Sequence, residues 1–310
     1  MKKMITQKTI TEESEKIILP DIHCNNNKTK ISAFAATLLV NKTAILGNEG
    51  SFHELAADKY FGKNSGKIFC HSFEKLIETV SSGEAVSGLM AIENSVAGSL
   101  ISNYPLLKNS SLCISGEIII HVQQNLMALP GQNLSNIKKI CSHYMAIEQC
   151  RGFLDKLNGI EIIPGGDTAT NAIKISREKL LGVATIAGKN ASEKYGLPII
   201  KAGIETNKNN YTRFLVLKKN DNSSNENANK ASLTFCLRHE KGSLAAVLSV
   251  LSFYGVNLSK IQSVPIPGKE WKYDFYTDLL FDDYKTYRSA ISAIKPLTGN
   301  LKILGEYSEK

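Results

Sequence analysis

From Thr43 onward, short apolar runs alternate with stretches of helical periodicity, and no other feature limits the fold as much. TAILG precedes SFHELAADKYFG, KIFCH precedes SFEKLIETVSSG, and VSGLMAIEN precedes SVAGSLISNYPLLKNS. The pattern resumes in IKKICSH, YMAIEQCRGFLDKLN, IEIIPGG, DTATNAIKISREKL, LGVATIAG and NASEKYG. Strands and helices in this order predict an α/β chain with largely parallel sheets. LCISGEIIIHVQQNLMAL reads as a long strand or a strand pair. The stretches around 118–129 and 204–217 are each long enough to cross between two lobes. The expectation for residues 42–219 is a bilobal α/β domain with a cleft.

Residues 220–230, NDNSSNENANK, contain no aliphatic side chain larger than alanine and predict a linker too polar to be buried. Beyond it the pattern reads strand, helix, strand, strand, helix, strand over 231–310, the ferredoxin-like βαββαβ order. Residues 1–41 form a polar extension. It lacks the apolar centre of a signal peptide, and ISAFAATLLV is too short to span a bilayer as a helix. A cytoplasmic protein without membrane contact is expected.

Charge narrows the partners. The formal net charge is +8, mostly from lysine, with only five arginines, and no basic block interleaved with aromatics suggests nucleic acid. A positive chain does attract a small polyanion. The six cysteines and six histidines show no metal-ligand spacing, so neither metal nor disulfide is expected. GxGxxG, GxxxxGK[ST] and GxSxG are absent, which removes the usual signals of nucleotide binding and hydrolase chemistry. Cys150 follows His143 closely but reads as a buried core thiol.

Candidate chemistry gathers where strands end. Ser51 and Glu54 follow TAILG at capping-box spacing; Glu93, Asn94 and Ser95 follow GLMAI; Asp167, Thr168 and Thr170 follow EIIPGG. Each junction puts hydroxyls or amides at a helix N-terminus, where free N–H groups favour an anion, although each is also a sufficient cap. NNYTRF, at 209–214, adds Asn210, Thr212 and Arg213. A set rich in donors and poor in acids suits a small dicarboxylate. Arg213 either clamps one carboxylate in bidentate fashion or pairs with an acid remote in sequence.

GNEGSFHELAA, AIENSVAGSL, SHYMAIEQC, DTATNA, KYGL and NNYTRFLVL resemble, in order and rough spacing, the motifs of prephenate dehydratases. KGSLAAVLSVLSFYGVNLSKIQSVP and WKYDFYTDL look like the ACT regulatory domain that follows the catalytic domain in those enzymes. The resemblance covers about 43–307. It implies a catalytic domain like a type II periplasmic binding protein and conversion of prephenate to phenylpyruvate without a cofactor. It also implies feedback by phenylalanine and a homodimer or homotetramer formed through paired ACT domains. It makes Thr212 the essential residue. Glu93 is a candidate proton source, and Ser51, Asn94, Ser95, Gln149, Thr168, Asn210 and Arg213 are candidate substrate contacts. Gly242, Ser243, Leu244, Val247, Gln262, Ser263 and Pro265 correspond to effector motifs. Arogenate is the rival substrate, and a non-catalytic amino-acid sensor is the rival class.

The chain departs from the family pattern in places. His53 stands for a frequent serine, Asn48 for a frequent proline, Ala91 for a proline, and Thr170 for a frequent glycine. Tyr144 and Met145 replace proline and glutamine, and Gln262-Ser263-Val264-Pro265 replaces Glu-Ser-Arg-Pro. No chorismate mutase domain is expected in the short polar extension.

Overall fold

The computed structural model describes residues 42–219 and 225–309. The expected N-terminal extension over 1–41 and the linker residues 220–224 lie outside the described residues.

In chain order, the first lobe begins β1 (Lys42–Leu46), α1 (Phe52–Phe61), β2 (Gly66–Cys70), α2 (Phe73–Ser82) and β3 (Ser87–Asn94). It continues through the short β4 (Gly98–Ser99), α3 (Asn103–Asn109) and β5 (Leu112–His121). The second lobe holds β6 (Asn125–Ala128), β7 (Lys139–Ser142), α4 (Tyr144–Gln149), α5 (Arg151–Leu154) and β8 (Glu161–Pro164). Then come α6 (Thr168–Glu178), β9 (Val183–Ala187), α7 (Lys189–Tyr195) and β10 (Ile199–Lys201). The chain then returns to the first lobe as β11 (Tyr211–Lys219). The first sheet runs β2-β1-β3-β11-β5 with β4 beside β3, and the second runs β10-β6-β9-β7-β8.

Parallel pairing joins β1, β2 and β3, and joins β7, β8 and β9. The expectation of largely parallel sheets fails at the crossings. Strand β11 is antiparallel to both neighbours, and β6 is antiparallel to both of its own. A strand that re-enters a sheet from the other lobe arrives from the opposite end, and that reverses its direction.

The third sheet, β13-β14-β12-β15, comprises β12 (Lys230–Cys236), β13 (Asn257–Pro265), β14 (Tyr273–Leu280) and β15 (Gly299–Tyr307). Helices α8 (Ser243–Phe253) and α9 (Tyr284–Ile294) complete the βαββαβ order. They cover one face through Leu233, Phe235, Val247, Leu251, Leu279 and Tyr287. The other face lies on the first lobe, where Val264, Tyr276, Leu304 and Tyr307 share a core with Leu76, Met90, Ile92 and Leu215. At Gly305 a Cβ would fall 2.1 Å from the Ile114 carbonyl oxygen, so only glycine lets β15 approach β5 so closely.

This packing explains the continuous apolar run Phe214–Leu217. Phe214 and Val216 face α1 with Ile45 and Leu89, while Leu215 and Leu217 face the opposite core. A central strand covered on both sides needs apolar residues at every position, each contributing about 1.5–3 kcal/mol on full burial. The predicted linker ends early. Ala228 and Lys230 are buried, and Lys230 already begins β12 with its ammonium 2.7 Å from Glu117 and 2.8 Å from Glu309. Paired charge made a polar segment buriable.

Candidate active site

The two lobes enclose a cavity of about 790 Å³. Its floor is the end of β3 beside β11, where Asn94 and Thr212 are register partners. Asn94 Nδ2 lies 3.0 Å from Thr212 Oγ1, 2.7 Å from Asn210 Oδ1 and 3.1 Å from the Tyr211 carbonyl. Its Oδ1 accepts from the backbone N–H of Val96 and Ala97. Gln149 Nε2 approaches the same oxygen at 3.4 Å, while Gln149 Oε1 accepts from Asn210 and Gln124. This amide network holds Asn94 in one orientation. The Thr212 oxygen accepts from Asn94, which leaves the hydroxyl proton available to a ligand.

Two helix N-termini reach the same cavity. Ser51 caps α1 by accepting from the Glu54 N–H, and Glu54 reaches back to the Gly50 N–H. Asp167 caps α6 through the Thr170 N–H, which places Thr168 at its first position. Apolar walls come from Phe52, Phe73, Leu100 and Phe214. Among the described residues that line the cavity there is no lysine or arginine, and Asp167 is the one carboxylate.

Of the candidate residues, Ser51, Asn94, Gln149, Thr168 and Thr212 line this cavity together. Asn210 is fully buried and acts through Asn94 and Gln149. Ser95 closes the loop, donating to the Asn209 carbonyl and accepting from the Tyr211 N–H, and does not line the cavity.

Glu93 and Arg213 require correction. Successive strand side chains point to opposite faces. With Asn94 and Thr212 facing the cleft, both of these face the third sheet. Arg213 Nε donates to Glu117 at 2.8 Å, and its Nη atoms bond Asp278 and Tyr307. Burial disfavours the charge on Arg213, but Asp278, Tyr307 and Glu117 outweigh it and hold its pKa above the usual value. Glu93 pairs with Lys260 of β13, and Lys260 also donates to Ser99 at 3.0 Å. Neither Glu93 nor Arg213 is placed to touch a cleft ligand.

Sequence reasoning missed His53 as a site residue. It lines the cavity from the first turn of α1, with its ring edge-on to Phe214 at 4.9 Å. Nε2 is buried without a hydrogen-bond partner among the described residues. Burial lowers its pKa to about 4, with Asp167 opposing the shift. The signal available was its position two residues after the cap Ser51. Cys150 is fully buried, and burial pushes its thiol up to about 12, which fits a core residue.

In the third sheet's unit, Gly242 caps α8 in a left-handed conformation, with Ser243 and Leu244 half-buried behind it. Gln262, Ser263 and Pro265 lie on β13, an edge strand of its sheet. Val247 is a correction: it is fully buried in the helix–sheet core and offers no side-chain surface to an effector.

The family model described as prephenate dehydratase matches residues 43–222. The chain is 32% identical over 293 residues to the bifunctional chorismate mutase/prephenate dehydratase of Buchnera aphidicola, covering 93% of this chain and 74% of that protein. It is 33% identical over 285 residues to arogenate dehydratase 5 of Arabidopsis thaliana, covering 86% and 67%. The crystal structure of the prephenate dehydratase from Arthrobacter aurescens, in complex with L-Phe, superposes with a TM-score of 0.78 at 27% identity, covering 86% of this chain and 90% of that one. The chain belongs to the prephenate dehydratase family.

Proposed function

We propose that this chain converts prephenate to phenylpyruvate, carbon dioxide and water, in phenylalanine biosynthesis. The observation that carries this reading is the Thr212–Asn94–Gln149 network on the floor of a cavity walled by Phe73 and Phe214. The bond from the ring to the departing carboxylate breaks, and its electron pair enters the ring. The ring carbon–hydroxyl bond breaks with its pair leaving on oxygen, which takes up one proton and departs as water. Aromatisation drives both events.

Thr212 donates its hydrogen bond to the leaving oxygen, fixed in direction by Asn94. A threonine hydroxyl is too weak an acid to act alone, so it relays a proton drawn from solvent. The N-termini at Ser51 and Thr168 hold the carboxylates with uncharged donors. Positioning and preorganised dipoles supply the catalysis.

A second reading, arogenate as substrate, is favoured by the lack of lysine and arginine among the described cavity-lining residues together with the presence of Asp167. Arogenate carries an ammonium where prephenate carries the side-chain keto oxygen, so it needs less positive charge from the protein. Incubation of the purified chain with each compound, followed by product identification, separates the two. Phenylpyruvate from prephenate is the expected result, and no turnover of either compound sinks the enzyme reading.

The βαββαβ unit is the ACT regulatory domain in this account, and it binds phenylalanine around Gly242 and Gln262–Pro265. Exposed Phe253 and the edge strand β13 suit pairing with a second copy, as homodimer or homotetramer. An initial rate that stays flat across a phenylalanine titration contradicts this regulation. No described helix is long and apolar enough to cross a membrane, and the five described cysteines are free, which suits a cytoplasmic enzyme.

A further inference from the structure

The turn at residues 47–51 joins β1 to α1 in the first lobe, and the second lobe grips it from several sides. Asn48 Nδ2 donates to Asp167 Oδ2 at 3.1 Å and to Thr170 Oγ1 at 3.0 Å, both at the start of α6. Thr170 Oγ1 donates its own proton to Asp167 at 2.8 Å, so its free lone pair points to Asn48. From α7, Asn190 donates to the Ser51 carbonyl at 2.9 Å and Tyr195 to the Glu49 carbonyl at 2.6 Å. Lys194 pairs with the Glu49 carboxylate at 3.0 Å. At Gly50, φ is +82°, and a Cβ there would lie 3.1 Å from Ala191 Cα.

Asn48 and Thr170 meet across the cleft and supply the two halves of one hydrogen bond.

We propose that Asn48 and Thr170 are positioning residues that clasp the lobes together and set the spacing between Ser51 and Thr168. Ser51 lies three residues beyond Asn48 in the same turn, and Thr168 adjoins Asp167. With the clasp formed, both helix N-termini act on one dianion at once. With it broken, α7 still holds the turn through Asn190, Tyr195 and Lys194, but the turn loses its tie to the start of α6, and the substrate is held more weakly. This inference rests on the cleft being the substrate site.

The test is a double-mutant cycle of Asn48→Ala and Thr170→Val in the full chain, with Thr170→Ser as the conservative control. Asn48→Ala removes the two bonds from the turn to α6 and should raise KM about five- to tenfold; Thr170→Val removes one of them and should raise it about two- to threefold. These factors lie within the range a net hydrogen bond supplies. The double variant should be no worse than Asn48→Ala alone, because the same bond is lost twice. Thr170→Ser should restore KM relative to Thr170→Val. The change should fall on KM rather than kcat, whereas a merely structural role would lower the melting temperature and leave KM in place.

Hydrogen–deuterium exchange of the unliganded chain supplies a readout that needs no turnover. Asn48→Ala should speed exchange at least threefold at both 48–51 and 168–171. Additive effects on KM, or unchanged exchange at 168–171, overturn the clasp. If the native chain turns over neither prephenate nor arogenate, the substrate reading fails while exchange still decides whether the clasp exists.

Discussion

The two faces of the β3–β11 strand pair carry opposite chemistry. On the cleft face stand Asn94 and Thr212, uncharged and joined by a 3.0 Å hydrogen bond. One residue away along each strand, on the rear face, stand Glu93 and Arg213, charged and engaged by Lys260, Glu117 and Asp278. The pleat separates the proposed catalytic surface from a docking surface within four residues. Each face can therefore be tested without removing a side chain of the other.

The largest expected effect on stability lies at the rear. Arg213→Leu leaves Glu117 buried with Lys230 and the Tyr307 hydroxyl, and Asp278 buried with Ser232, as the remaining side-chain partners among the described residues. Removing one member of a buried ion network costs about 3–5 kcal/mol. A urea titration should show a lower midpoint, and an unchanged midpoint would mean that the network adds nothing to the docking of the third sheet.

At the cleft face the loss should appear in rate. Asn94→Ala removes the donor that orients Thr212, and loss of one preorganised donor costs about 10²–10³ in kcat. Near-native turnover of that variant would erase the contrast between the faces. It would show that Thr212 needs no aiming.

His53 sharpens the comparison by pH. Its folded pKa of about 4 lies below the ordinary 6.5, so the unfolded chain takes the proton first. The stability linked to it is complete above about pH 6.5 and is lost as pH falls toward 4. At pH 5 the loss is at most about 2 kcal/mol from this one group. His53→Phe should remove that share of the acid sensitivity. Equal differences between urea midpoints at pH 7 and pH 5 in both proteins would place the sensitivity elsewhere.

Much of this fold was legible because short apolar runs and capped helices are local signals. TAILG, KIFCH and the S-x-x-E at Ser51 behave in the structure as their patterns imply. What stayed hidden was facing. NNYTRF reads as one donor cluster along the chain, yet Thr212 and Arg213 point to opposite sides, and only the register of β11 against β3 and β5 decides which enters the cleft. Glu93 misled for the same reason. Its true partner, Lys260, stands 167 residues later, beyond the reach of any local pattern. His53 was visible only as a departure, because its role depends on aromatic neighbours brought in from α2 and β11.

The measurement closest to the central claim is kcat for phenylpyruvate formation by Thr212→Val at saturating prephenate, with its unfolding midpoint recorded alongside. Removal of the hydroxyl proposed to meet the leaving oxygen should lower kcat by about 10³ or more while the midpoint stays at the native value. A rate within about tenfold of native, in a variant that folds normally, would contradict the assignment of this cleft and of Thr212 within it.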